Sequence, residues 1–141
     1  MRKTWVIVAD SARARIFSVT TPKGPLTELE DLVHPASRAH ERDLRSDRSG
    51  RGTAKSGTMG SPNSAKAHEV HEFAGDLADR LETARVKGDY EQLVLVGAPD
   101  FLGNVRKRLP DGVSKCVYKE IDKNLTQLSV KAIRGHLPEF L

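Results

Sequence analysis

The sequence predicts a single α/β domain over residues 1–141, built on a mixed five-stranded sheet with helices on its faces. Three observations predict this class. Strand-like apolar runs open the chain and are separated by short turns. Helix-like and strand-like patterns then alternate to the last residues. A long basic segment, about residues 36–62, separates these two parts, and we expect it to be a flexible loop between strand 3 and helix 1.

Three strands are predicted in the first part of the chain. The continuous apolar run TWVIVA, residues 4–9, is typical of a central strand that is covered on both faces. Asp10 begins a turn, and ARARIFSVT, residues 12–20, has the β-branched and aromatic content of the second strand of a hairpin. LTELEDLV, residues 26–33, alternates imperfectly, so we expect a third strand that contains a bulge.

A long amphipathic helix is predicted after the basic segment. Ser61 followed by Pro62 resembles an N-cap with proline at the first helical position. Apolar residues then follow at helical spacing, namely Val70, Phe73, Ala74, Leu77, Leu81 and Ala84. Acidic residues occupy the other faces, and Gly88 predicts the end of the helix.

Strands and helices are predicted to alternate in the remainder. QLVLVG, residues 92–97, is a second buried run, and APDFLGNVRKRL, residues 98–109, has an apolar helical face. SKCVYKEI, residues 114–121, predicts a fifth strand. Asn124 with Gln127 resembles a capping box, which predicts that LTQLSVKAIRGHL forms the last helix. Three hairpin-connected strands followed by right-handed βα units give the order β-β-β-α-β-α-β-α, which is a ribonuclease-H-like topology.

The charge of the chain is concentrated in one segment. The net charge is +4, from 23 Lys/Arg and 19 Asp/Glu residues. Residues 34–66 hold seven of the basic and three of the acidic residues, which leaves 16 of each sign in the rest of the chain. The formal excess of positive charge therefore lies in and immediately around the segment that is predicted to be a loop. A local basic excess of this kind is typical of contacts with polyanions.

Arginines recur at every third position of the basic segment and make it the candidate nucleic-acid-binding site. The candidate residues are Arg42, Arg45, Arg48, Arg51 and Lys55. Guanidinium groups are permanently charged and bind phosphate bidentately, so a flexible, glycine-containing segment that carries several of them suits contacts along an RNA backbone. The other interpretation is a solvated linker in which Glu41, Asp43 and Asp47 pair locally with the arginines. The segment has no aromatic residue on which a base would stack.

Cysteine content and the lack of a long apolar run indicate a cytoplasmic protein. Cys116 is the single cysteine, so no intramolecular disulfide forms, which suits a reducing compartment. It lies in a predicted strand with no neighbouring base, which does not indicate a nucleophile. The apolar run at residues 5–9 is too short for a signal peptide, and no run approaches the ~20 residues of a membrane span.

Two aspartates raise the alternative of a metal-dependent nuclease. Asp10 and Asp100 are predicted at the carboxyl ends of strands, and Glu69 or Glu72 on the long helix would supply a third ligand. Ribonuclease-H-like nucleases use such carboxylates to hold two Mg²⁺ ions about 4 Å apart. The simpler interpretation is structural, because Asp10 starts a turn and Asp100 lies in the first turn of a helix, where the dipole favours a negative charge.

The motif HEVHE raises a single metal ion as a further alternative. His68, His71 and Glu72 lie on adjacent turns of the predicted long helix. The two histidines are three residues apart, which differs from the HExxH arrangement, and zinc would need a further ligand from elsewhere in the chain. The other interpretation is an ordinary polar helix face, and no metal or other cofactor is assigned.

The chain resembles a known family over nearly its whole length. The matching stretches, in order, are VIVADSARARIF, SDRSGR, FAGDLADRL, LVLVGAPDFLGNVRKRL and EIDKNLTQLSVKAIRGHL. They resemble the bacterial family of host attachment proteins, described as required for attachment to host cells. That family is in turn similar to the middle domain of the archaeal and eukaryotic class I translation termination factors. The similarity includes a strand that ends in a GxxDF-like turn, here Gly97 to Phe101.

The resemblance to the termination factors implies the fold and an RNA-facing loop, but not their hydrolytic activity. In those factors the loop carries a Gly-Gly-Gln tripeptide that enters the peptidyl-transferase centre and promotes release of the nascent chain. The corresponding place here is Gly50-Arg51-Gly52, and the two glutamines, Gln92 and Gln127, lie outside the loop. The resemblance therefore does not imply hydrolysis of peptidyl-tRNA.

These observations predict a cytoplasmic, non-catalytic protein whose basic loop contacts RNA or ribosomes, with no cofactor and no membrane span. Because no export signal is visible, we expect any effect on host attachment to be indirect, through the expression of other proteins. Two alternatives stay open. One is the metal-dependent ribonuclease-H-like nuclease, and the other is a protein–protein interaction module in which the loop is a passive linker, which would need a large exposed apolar patch.

Overall fold

The structure is a computed structural model, which describes residues 3–33, 62–139 and 141. Within these ranges the chain forms five strands, three helices of six residues or more and one short helix. In chain order they are β1 Thr4–Ala9, β2 Arg13–Val19, β3 Thr27–Val33, α1 Pro62–Lys87, β4 Gln92–Val96, α2 Pro99–Arg108, α3 Asp111–Ser114, β5 Val117–Ile121 and α4 Val130–Gly135.

The strands form one mixed sheet in the order β3-β2-β1-β4-β5. β2 pairs antiparallel with both β1 and β3, while β4 pairs parallel with both β1 and β5. The hairpins therefore lie on one side of β1, and the strands that follow a helical crossover lie on the other. This arrangement confirms the predicted α/β class and its mixed five-stranded sheet.

Each face of the sheet has its own core. On one face, Ile7 and Leu95 pack against Leu77 of α1 and Val105 of α2, and Val113 of α3 completes this cluster. The opposite face packs against α4 and the chain that follows it, with Ile133 as the central apolar side chain of that helix. Because β1 and β4 are covered on both faces, every residue of both strands is buried, as their continuous apolar sequences predict.

Both edge strands contain a bulge. In β3 the partners of Ile16 and Phe17 are Glu30 and Glu28, so Leu29 is the extra residue. In β5 the partners of Leu93 and Val94 are Val117 and Lys119, so Tyr118 is the extra residue. The bulge predicted for the third strand is present, and bulges of this kind keep an exposed edge from pairing with another chain.

The last helix is shorter than the sequence predicted. It begins at Val130 and not near Leu125, and its N-cap is Ser129, whose hydroxyl accepts a hydrogen bond from the Ala132 amide at 3.1 Å. The capping-box prediction was wrong, because the carboxamide oxygen of Asn124 accepts a hydrogen bond from the backbone amide of Thr126 at 3.4 Å within a turn. A side chain that bonds to its close neighbours in this way competes with helix formation.

The fifth strand also starts later than predicted. Residues 111–114 form α3, and the Cys116 amide donates to the carbonyl of Val113 at 2.9 Å to close that turn. The strand therefore begins at Val117 and not at Ser114. α1, by contrast, begins at Pro62 and ends at Lys87 as predicted, and Gly88 follows with a φ of 80°, a left-handed conformation that favours glycine.

The direction of the elements fixes where the basic segment leaves and rejoins the domain. β3 runs parallel to β1, and its last residue, Val33, pairs with Arg13 beside the carboxyl end of β1. α1 ends at the opposite edge of the sheet, where the ammonium of Lys3 donates to the carbonyl of Gly88 at 3.2 Å. Both ends of the segment at residues 34–61 therefore lie towards the edge where β1 and β4 end, which we call the carboxyl edge.

The first turns of α1 reach beyond the sheet. Phe73 stacks on Phe101, which lies in the first turn of α2, just after the carboxyl end of β4. Residues 62–69 precede this contact by about two helical turns, a length of about 12 Å. The basic segment thus rejoins the domain on a projecting stretch of helix.

Candidate functional site

The candidate nucleic-acid-binding residues lie outside the described residues. These are Arg42, Arg45, Arg48, Arg51 and Lys55. Their role stays a prediction. The structure defines the platform that carries them, namely the carboxyl edge of the sheet and the polar side chains that hold it together.

Asp10 forms a structural turn at the carboxyl edge. One carboxylate oxygen accepts a hydrogen bond from the amide of Ala12 at 2.8 Å, and the other accepts one from the hydroxyl of Thr126 at 2.8 Å. The first bond shapes the hairpin between β1 and β2, because a short acidic side chain mimics a backbone turn there. The second bond attaches the segment between β5 and α4, which we call the 122–129 segment, to the end of β1.

Arg15 attaches the same segment to β2. Its guanidinium donates to both carboxylate oxygens of Glu28 at 2.9 Å, and it also donates to the carbonyls of Thr126 at 3.1 Å and Leu128 at 2.6 Å. The Arg15 side chain is only 8% exposed. A planar group with five donors suits this combination of a bidentate carboxylate and two backbone carbonyls, which a lysine would not satisfy.

Arg13, two residues before Arg15 in β2, makes a similar but more exposed contact. It donates to both oxygens of Asp31, at 2.9 and 2.7 Å. The hydrogen bonds from Arg15 and Arg13 hold the pKa of Glu28 and of Asp31 below their ordinary values. Both carboxylates are therefore charged at neutral pH, and the ion pairs tie β3 to β2 beside the point where the basic segment leaves.

We expect the stability of the domain to fall in acid because of these two carboxylates. A carboxylate with a lowered pKa in the folded state contributes stability above its unfolded pKa, about 4.3 for Glu and 3.9 for Asp, and loses it as the pH falls through the folded pKa. Urea unfolding of the wild type between pH 7 and pH 2.5 should show the decline below about pH 4. Glu28→Gln should be less stable at pH 7 yet show a flatter decline, and equal declines in the two proteins would contradict the assignment.

The structure does not assemble the carboxylates of the nuclease alternative. Asp10 is engaged with Ala12 and Thr126, whereas Asp100 is exposed in the first turn of α2. Among the described residues, no group of three or more His, Cys, Asp or Glu side chains is placed to hold a metal ion. Within that part of the chain the structural interpretation of both aspartates agrees with their surroundings.

The two histidines of HEVHE diverge. His68 faces Glu72 on the next turn of α1 at 3.5 Å, while His71 contacts the guanidinium of Arg108 on α2. The structure therefore does not bring His68 and His71 together on one ion. Cys116 is half-buried, and its thiol donates to the carbonyl of Gly112 at 3.4 Å, which is a packing role.

Arg134 is the structural residue that sequence reasoning missed most completely. Its guanidinium donates to the carbonyls of Pro22, Gly24, Pro138 and Glu139 at 2.7–3.1 Å. It thereby fastens the turn between β2 and β3 to the chain that follows α4. The only signal in the sequence is an arginine in a short helical stretch that also carries Lys131, which does not specify backbone carbonyls as its partners.

The large exposed apolar side chains are spread over three elements, with two of them in β3. Among the described residues the large exposed ones are Leu29 and Val33 of β3, Val86 of α1 and Tyr118 of β5. Leu29 and Tyr118 are the two bulge residues at opposite edges of the sheet. In the same part of the chain, no helix is both long enough and apolar enough to cross a lipid bilayer.

Known proteins resemble this chain in sequence and in fold. A family model described as "Protein required for attachment to host cells" matches residues 5–137. An uncharacterized protein of Rickettsia prowazekii (strain Madrid E) is 29% identical over 136 residues, which cover 91% of this chain and 87% of that protein. The crystal structure of an archaeal translation termination factor matches with a TM-score of 0.51 and 14% identity. The match covers 97% of this chain and 35% of the factor, so the chain has the fold of about a third of that protein.

Proposed function

This chain belongs to the family described as "Protein required for attachment to host cells". We propose that this member of the family is a non-catalytic RNA-contacting protein that acts at the ribosome. In this proposal the basic segment between β3 and α1 binds the RNA backbone, and the folded domain holds the two ends of that segment. The arginines at every third position are the contacting residues.

The observation that carries the proposal is the location of the excess positive charge in the chain. The excess of positive charge lies in residues 34–66, and the rest of the chain carries equal numbers of basic and acidic residues. In the described part, Arg13, Arg15 and Arg80 are each bound to a carboxylate. The charges of these three arginines are compensated by carboxylates, and the net positive charge of the chain comes from residues 34–66, which suits binding of a polyanion by that segment.

The location of the segment supports the ribosome as the partner. The archaeal protein with a similar fold is named as a translation termination factor. Both ends of the segment lie towards the carboxyl edge, and one of them is the projecting start of α1. A basic segment held in this way can reach away from the domain, which suits insertion into a crevice of a large RNA.

The proposed activity is binding and not hydrolysis. The segment contains Gly50-Arg51-Gly52 and no glutamine. Guanidinium groups bind phosphate but supply no general acid or base near neutral pH, since they keep their charge. We place the protein in the cytoplasm, and its effect on host attachment would follow from the expression of other proteins.

A salt titration tests the proposal. Replacing Arg42, Arg45, Arg48 and Arg51 with serine should weaken binding to bulk tRNA or ribosomal RNA. It should also reduce the slope of log K against log salt by about 0.7 for each phosphate that the variant no longer binds. The fold should be retained, because the two cores are formed by other residues. Circular dichroism of the variant would check this.

A matched control removes the same charge from the folded surface. Lys87, Lys107, Lys115 and Lys131 are exposed, and their replacement with glutamine lowers the net charge by the same four units. This control should retain most of the affinity and salt slope. Co-sedimentation with ribosomes at low and moderate salt would extend the comparison to the proposed partner. If the wild type does not bind, or if the serine variant binds equally at every salt concentration, the segment is a linker and the proposal fails.

A further inference from the structure

A small cleft lies at the opposite end of the sheet from the basic segment. It opens on the face covered by α4, beside the first residues of β1 and β4, and has a volume of about 260 Å³. Val19, Pro22 and Leu141 supply apolar walls. The Leu141 amide donates to the carbonyl of Pro22 at 3.0 Å, which holds the two walls together.

The floor of the cleft is polar. Thr4 and Gln92 line it, and the side-chain amide of Gln92 donates to the hydroxyl oxygen of Thr4 at 2.9 Å. Both residues are buried, in strands whose other inward-facing residues are apolar. A threonine hydroxyl that accepts one hydrogen bond still has its own hydrogen to donate. The floor can therefore offer directed hydrogen bonding at the base of a cleft whose walls combine apolar side chains with Thr21. A few placed polar groups among apolar walls are the usual design of a small-molecule site.

Tyr118 forms the remaining wall. It is the bulge residue of β5, and bulges often redirect a side chain beside a binding site. The Tyr118 side chain is 51% exposed, whereas the other aromatic residues within the described ranges are buried. An exposed aromatic ring beside a polar-floored cleft is suited to stacking with a flat ligand.

Lys119 adds a positive charge on the same face. It pairs with Val94, which lies two residues from Gln92 and points to the same side of β4. Lys119 is exposed and forms no ion pair within the described residues. The neighbouring Glu120 is bound to Arg106, and Asp122 follows the far end of β5.

We propose that this cleft binds a nucleotide. The base stacks on Tyr118 and its edge receives a hydrogen bond from the Thr4 hydroxyl. The phosphate extends beyond the lining residues of the cleft towards Lys119 on the same face. The cleft is smaller than the ~300–1,000 Å³ of sites for drug-sized ligands, so it suits one base and not a larger molecule. The same chemistry is offered by a free nucleotide and by one residue of a single-stranded RNA. The basic segment takes no part in this site.

The test uses adenosine 5′-monophosphate and the full-length, ¹⁵N-labelled protein. We expect saturable shifts of amide resonances around Thr4, Gln92 and Tyr118. Tyr118→Leu should weaken binding roughly 10-fold or more, since base stacking dominates such sites, while Tyr118→Phe should bind as the wild type does. Lys119→Gln should weaken binding of the monophosphate but not of adenosine. In the variant with four serines in the basic segment, a short oligoadenylate that binds more tightly than the monophosphate would identify the strand as the source, and weaker binding would identify the free nucleotide.

Two controls distinguish binding in the cleft from binding elsewhere on the protein. Leu29→Ala changes the exposed bulge residue at the other edge of the sheet and should leave nucleotide binding unaltered. The variant with four serines in the basic segment should also bind the monophosphate normally, so this inference and the proposed function can fail independently. The cleft is not a nucleotide site if the amides around it do not shift at millimolar nucleotide, if inorganic phosphate produces the same shifts, or if Tyr118→Leu binds as tightly as the wild type.

Discussion

Replacing Arg15 with leucine is expected to lower the free energy of unfolding by about 1–3 kcal/mol, the usual cost of leaving buried polar groups without a hydrogen-bond partner. The substitution removes the guanidinium donor of the Leu128 carbonyl and the nearer of the two guanidinium donors of the Thr126 carbonyl, since Arg13 also donates there at 3.4 Å. It also removes the bidentate partner of Glu28, whose side chain is 29% exposed. A domain of this size is stable by about 5–15 kcal/mol, so the decrease would be a large share of the total. Urea unfolding followed by circular dichroism measures it.

Arg13 is the matched control for this prediction. It lies two residues away on the same strand and makes a comparable bidentate contact with Asp31, but its side chain is 31% exposed. Exposed ion pairs typically contribute about 0–1 kcal/mol, so Arg13→Leu should have a much smaller effect. Combining Arg15→Leu with Glu28→Leu should recover little of the stability, because the Glu28 carboxylate is exposed and stays hydrated without its partner. Equal decreases for the two single variants would show that burial of Arg15 is not what gives the contact its strength.

The strands and the long helix could be predicted because their signals are local. The residues of β1 and β4 are continuous apolar runs, since both faces of these strands are covered. α1 has proline at its start and a glycine after its end, and its apolar spacing matches the residues buried in the core. Each of these patterns depends on neighbours within a few residues, so a single sequence contains it in full.

The start of the last helix could not be predicted, because it is decided by contacts that are distant in sequence. Asn124 and Gln127 have the spacing of a capping box, but the carbonyls of Thr126 and Leu128 are bound by Arg15, more than 100 residues earlier in the chain. Those bonds hold the 122–129 segment in a non-helical form until Ser129 caps α4. A local capping pattern cannot reveal a competing partner from another strand.

Of the two candidate sites, the sequence indicated the basic segment but not the cleft. The arginine spacing of the basic segment is visible in the sequence, and its RNA-binding role stays a prediction because Arg42 and the others lie outside the described residues. The cleft at Tyr118 was not predicted. It is formed by the starts of two parallel strands, a bulge and Leu141, which only the register of the sheet brings together. Its one sequence signal is a tyrosine in a predicted strand, which ordinarily indicates core packing.

Gly97 is expected to be the least replaceable glycine at the carboxyl edge. It follows the last residue of β4, and its amide donates to the carbonyl of Ile121 at 3.0 Å. A β-carbon at this position would lie 2.7 Å from the carbonyl oxygen of Ala9 and 3.2 Å from a methyl carbon of Leu102. The first of these atoms is backbone in a strand that is hydrogen-bonded on both sides, so it cannot move without disturbing β1. The glycine is therefore required for the close approach of the ends of β1 and β4.

Gly97→Ala should lower the free energy of unfolding by about 1–3 kcal/mol, the typical cost of overpacking a dense interior. Gly103→Ala is the control with the opposite expected sign. Outside the backbone of its own helix, the nearest atom to a β-carbon at this position would be a guanidinium nitrogen of Arg106, at 3.8 Å. Alanine within a helix is more stable than glycine by about 0.5–1 kcal/mol. Urea unfolding of the two variants and the wild type would measure both changes. If Gly97→Ala proved as stable as the wild type, β1 and β4 would have room to separate, and the carboxyl edge would be less rigid than the platform that the proposed function requires.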